Sequence, residues 1–89
     1  MYKNGRLLVF TAALEIKTNF GAWTDYKICD LPYTANGTQY GIAISDNGKV
    51  VPLKITANTK TLYISSRNSL LTSSPKEWIW CNITILCTE

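Results

Sequence analysis

The run that closes the chain, residues 77–87, restricts the fold more than any other segment. It reads Glu-Trp-Ile-Trp-Cys-Asn-Ile-Thr-Ile-Leu-Cys. Successive side chains on a strand point to opposite faces. Ile79, Cys81, Ile83, Ile85 and Cys87 therefore share one side, and Trp78, Trp80, Thr84 and Leu86 share the other. Both sides carry large apolar groups, which predicts a central strand with one side on the core and the other against a neighbouring subunit. Trp80, Thr84 and Leu86 are the candidate interface residues.

The rest of the chain continues in strands and turns. Over residues 6–17, Leu8, Phe10, Ala12, Leu14 and Ile16 fall on one side, with Thr11, Glu15 and Lys17 on the other. A second strand, 23–31, should stop at Leu31-Pro32, because proline lacks a donor and holds the preceding residue extended. Asn36-Gly37 marks a turn, a strand follows over 38–45, and Asp46-Asn47-Gly48 is the strongest hairpin signal in the chain. Residues 49–56 return with Val51, Leu53 and Ile55 on one side, while Pro52 predicts an edge strand or a bulge. After a turn at 57–60, the strand 61–65 turns Leu62 and Ile64 inward and Tyr63 outward, and 66–76 read as a longer loop. About six strands without a helix predict an all-β fold, either a small antiparallel β-sandwich or a compact jelly-roll-like barrel.

Eighty-nine residues make one β domain. A chain of this length hides only roughly 60–65% of its extended surface, so it is marginal alone unless well packed or oligomeric. The balance of 46% apolar and 17% charged residues excludes a disordered tail. No apolar stretch approaches the ~18 residues of a membrane span. The run 7–14, broken by Thr11, is too short for a secretory leader and lacks its cleavage site. The net charge of +3 is the balance of nine basic and six acidic residues, and no two basic residues are adjacent, which argues against a nucleic-acid-binding stripe.

The chain lacks the parts for most catalytic chemistry. It contains no histidine, which removes imidazole-dependent triads and H-E-x-x-H metal sites. Asp46 sits where its side chain would bond a turn backbone. Asp25 and Asp30 fall on opposite sides of a regular strand and make a poor glycosidase pair. Among the cysteines, Cys81 and Cys87 share a strand face but stand too far apart to bond each other. Either could face Cys29 from a neighbouring strand, so geometry permits one disulfide, with buried free thiols as the favoured reading. No fourth ligand accompanies the three cysteines to make a zinc site. A non-enzymatic domain without cofactor or metal is expected. The aromatic residues either fill a small core or offer flat faces to a sugar or peptide. Tyr33, Tyr63, Arg67, Asn68 and Trp78 are the ligand-binding candidates.

The order of these elements resembles a known family. Trp23, Tyr26, Ile28, Cys29, Leu31 and Pro32 form a Trp-to-Leu-Pro element, followed by the strand pair around Asp46-Asn47-Gly48. A short Leu62-Tyr63-Ile64 strand and a last strand opening at Trp78-Ile79-Trp80 complete it. This layout, over residues 6–87, is similar to the small β domains of tail-fibre, baseplate and receptor-binding proteins from phages and prophages of Gram-positive bacteria. Beyond Pro32 the sequence Tyr33-Thr34-Ala35-Asn36 departs from the family's usual Gly-Tyr-Arg-Pro-like continuation. The resemblance implies a homotrimer in the phage tail tip, made in the bacterial cytoplasm, that contacts other tail proteins and binds a host cell-wall saccharide or polymer. It also implies that the chain is either complete or the carboxyl-terminal domain of a longer tail protein. A spacer or capping domain of a tail fibre, or a monomeric module binding a peptide or protein along the Pro52 strand edge, are the competing readings.

Overall fold

The computed structural model describes residues 1–17, 21, 23–66, 71 and 77–88. Seven strands make up one antiparallel sheet: β1 (Tyr2–Asn4), β2 (Leu7–Glu15), β3 (Thr24–Asp30), β4 (Gln39–Ser45), β5 (Val50–Ile55), β6 (Thr61–Ser66) and β7 (Trp78–Leu86). Their order across the sheet is β1-β2-β7-β4-β5-β6-β3. The sheet curls strongly into a half-barrel. One layer thus wraps its own core, and β1 and β3 form its two edges. The seventh strand, β1, escaped the sequence reading because three residues show no alternation. It joins β2 through the two-residue turn Gly5-Arg6, with Gly5 at φ 60°, where a glycine avoids the penalty of a Cβ. Trp23 also has φ 60°, so β3 begins one residue later than the sequence suggests.

The inward residues are those that the alternation selects. Leu8, Val51, Leu53, Ile55, Leu62, Ile64, Ile79, Ile83 and Ile85 are buried in one cluster, with Phe10 and Leu14 packed against it. Large and small side chains alternate across the central strands. Phe10 faces Ile83, and Gly41 faces Leu53; Cys81 lies between Ala12 and Ala43. Small residues beside large ones let the strands bend around the core without overpacking it.

The connection from β3 to β4 closes one end of the half-barrel. Leu31 and Ala35 donate their N–H groups to Lys60 and Thr59 on the β5–β6 side. Ala35 bridges Cys87, while Asn36 donates to Leu86 and Thr88 donates to Thr34 on the β7 side. Leu31 and Ala35 are buried as a result.

Pro52 lies in an interior strand, because β5 pairs with β4 on one side and with β6 on the other. The ladder to β6 stops at Leu53 opposite Ile64, one residue short of Pro52. The missing donor therefore falls where β5 has a partner on one side only, a local edge within an interior strand. All three cysteines are free thiols. Cys29 lies on β3, whose neighbour is β6, not β7.

At Gly41, β4 leaves no room for a side chain against β7. A Cβ there would stand 2.6 Å from the carbonyl oxygen of Asn82 and would strike Ile83 Cβ. Gly41→Ala is expected to cost about 2–3 kcal/mol through overpacking, measured as a lower urea midpoint with an unchanged slope.

Candidate functional site

The outer face of the sheet carries the feature that the core does not explain. Along β7, Trp78, Trp80, Asn82, Thr84 and Leu86 are exposed, alternating without exception with buried residues. On β4 the sizes are inverted: Gly41, Ala43 and Ser45 take the inward positions, and Tyr40, Ile42 and Ile44 point out. Pairing aligns these groups in rows. Ala13, Trp80, Ile44 and Val50 form one row across β2, β7, β4 and β5, and Thr11, Asn82, Ile42 and Pro52 form the next. Trp80 and Val50 are each 53% exposed, and Ile42 and Ile44 each 46%. None of these eight side chains is charged.

The sequence places Trp80, Thr84 and Leu86 together, and the structure sets them on one exposed face of one strand. It adds Ile42, Ile44 and Val50, which the sequence reading did not single out. The available signal was the size pattern Tyr-Gly-Ile-Ala-Ile-Ser over residues 40–45. With glycine and alanine at alternate positions, the large groups are left for the other face.

Polar contacts at each end of β7 hold this face in register. At one end the Asp46-Asn47-Gly48 loop closes with Ser45 donating to the Lys49 carbonyl at 2.8 Å and Gly48 donating to that of Ser45 at 3.0 Å. Gly48 has φ 83°. The side chain that receives the turn N–H groups is Ser45 Oγ, at 3.2 Å from Asn47 and 3.0 Å from Lys49. The fully buried Glu77 carboxylate accepts from Asn47 Nδ2 at 3.1 Å and Lys49 Nζ at 3.4 Å. A buried carboxylate is tolerated only with such partners. Asp46 also donates its N–H to the Trp78 carbonyl at 3.0 Å. At the other end, the Gln39 amide takes both backbone groups of Leu86, accepting at 2.7 Å and donating at 2.9 Å. A side chain there does the work of a ladder pair.

The ligand-binding candidates do not converge. Tyr33 packs against the core, with the Lys3 ammonium 4.5 Å from its ring centre. Tyr63 faces outward between its cross-strand partners Lys54 and Lys27. Trp78 lies opposite Glu15 on β7, which β4 and β5 separate from β6 by about 14 Å of strand spacing. Arg67 and Asn68 lie outside the described residues.

The charged groups near Tyr63 are paired at the surface. Lys27 and Asp30 stand 3.2 Å apart, and Lys54 and Asp25 3.9 Å. A hydrogen bond from the Thr61 hydroxyl, aided by Lys27, holds the Asp30 carboxyl below its usual range. No family model matches the chain, and neither does any curated protein or solved structure.

Burial pushes the Cys81 thiol up to about 11, with a further rise from the nearby Cys29. Burial, then the charge of Asp30, raises Cys29 as well. At pH 8 a group at 11 is thiolate in about one part in a thousand, and only the thiolate reacts readily. Iodoacetamide at pH 8 should label the half-buried Cys29 ahead of Cys81, which should react only after unfolding, as peptide mass mapping would show.

Proposed function

We propose that this chain is a non-catalytic assembly domain of the phage tail-fibre or baseplate type that it resembles. In this reading it forms a homotrimer in which the outer face of β7 and β4 is covered by neighbouring copies. The observation that carries the reading is the uncharged apolar patch centred on Trp80, Ile44 and Ile42. The two uncharged rows span about 14 Å across four strands and about 14 Å along them, a footprint of roughly 200 Å², and Trp78 and Leu86 extend it along β7. Apolar side chains exposed contiguously, unlike ones scattered singly, point to an interaction site. With no charge to satisfy, the patch suits an equally apolar face, and another copy of the chain supplies one.

The scattered placement of Tyr33, Tyr63 and Trp78 favours the spacer or capping role over a preformed saccharide pocket within one subunit. Recognition of a host-wall saccharide belongs, in this reading, to seams made by assembly, where several weak contacts act together.

Light scattering on a sizing column tests the proposal. The 10.0 kDa chain should elute at about 30 kDa. Trp80→Lys and Ile44→Glu change exposed side chains, so they should keep the β-sheet circular dichroism signal and shift the mass to that of one chain. A wild-type mass of one chain at every concentration would overturn the assembly reading.

A further inference from the structure

We infer that the open seam of the half-barrel is a binding site for a small amphipathic anion, an aliphatic chain ending in a carboxylate or a similar acidic group. The seam lies on the inner side of the sheet, between the end of β2 and the edge strand β3, which do not pair with each other. A cavity of about 360 Å³ opens there. Its floor is made by Ile64 and Ile79, both shielded from solvent, and its walls by the half-buried Leu14 and Ile28. Lys17 and Lys27 stand at its lip together with the Glu15 carboxylate and Tyr26.

The shape follows from the fold. The curl stops before the sheet closes, so among the described residues no strand covers Leu14 and Ile28 from this side. A pocket with aliphatic walls and few polar groups at its mouth is the usual form of a small-molecule site. An apolar cavity of about 150 Å³ holds one benzene, so this space has room for roughly a dozen carbon atoms. The head-group preference comes from the lip. Lys17 pairs with Glu15 and Lys27 with Asp30, each at 3.2 Å. Three of these four side chains are more than half exposed, and Glu15 less so. Exposed ion pairs are weak, and an ammonium has three donors, so each lysine can turn to an entering carboxylate. The apolar body is then buried and the acid remains at the mouth.

Decanoate is the probe, with decan-1-ol as its uncharged counterpart, titrated into the full chain by calorimetry and followed by amide shifts of Ile28 and Ile64. One decanoate per chain should bind, at least roughly tenfold tighter than the alcohol. Ile28→Trp, which fills the cavity from the edge strand, should abolish binding. Lys27→Glu, at an exposed position, should weaken decanoate but not decan-1-ol. Trp80→Lys, on the opposite face, should leave binding unchanged, which separates this site from the assembly surface. No binding up to about 1 mM, equal affinity for acid and alcohol, or binding that survives both Ile28→Trp and Lys27→Glu would overturn the assignment.

Discussion

The structure depends on the two-faced alternation of β7. This strand is hydrogen-bonded on both sides, to β2 along its whole length and to β4 over Trp80, Asn82 and their neighbours. Its inward residues, Ile79, Cys81, Ile83 and Ile85, run down the middle of the core, and Cys87 continues the row just past its end. A one-residue slip would exchange the two faces, moving two tryptophans into the interior and the isoleucines out. The pairing joins residues 7–15 to residues 78–86, so forming it carries the entropic cost of closing a long loop. The core and the outer patch are thus fixed by the same event.

The outer face is held rigidly because its neighbours are fixed from within. Gly41 lets β4 lie close against β7, which brings Ile42 beside Asn82 and Ile44 beside Trp80. Glu77 fastens the β4–β5 loop at one end of β7, and Gln39 fastens the start of β4 at the other. A patch built on central strands, with both ends tied, costs little further ordering when a partner covers it. That is what an assembly surface requires.

Much of this was legible in the sequence. Six of the seven strands follow from period-two alternation and from turn residues such as Asp46-Asn47-Gly48, because each signal is local. The exposed set Trp80, Thr84 and Leu86 was legible for the same reason. Pro52 signals an edge that holds only locally: β5 is an interior strand, yet its β6 ladder has ended by Pro52, a fact about pairing between distant segments. The all-β antiparallel class was legible too, but the choice between a two-layered sandwich and a barrel-like curl follows from the strand order, which no local pattern encodes. Tyr33 looked like a platform for a ligand, yet the β3–β4 connection folds its ring onto the core under Lys3. Ile42 and Ile44 passed unnoticed because apolar residues are expected inside; only the small residues between them indicate the reverse.

The most direct measurement of the central claim is the solvent accessibility of the Trp80 indole as a function of protein concentration. In a Trp23→Phe, Trp78→Phe background, acrylamide quenching reports Trp80 alone. The account predicts a shielded indole in concentrated protein that becomes quenchable on dilution, as the covering copies leave. An indole quenched equally at every concentration, as its 53% exposure in the single chain implies, would contradict it.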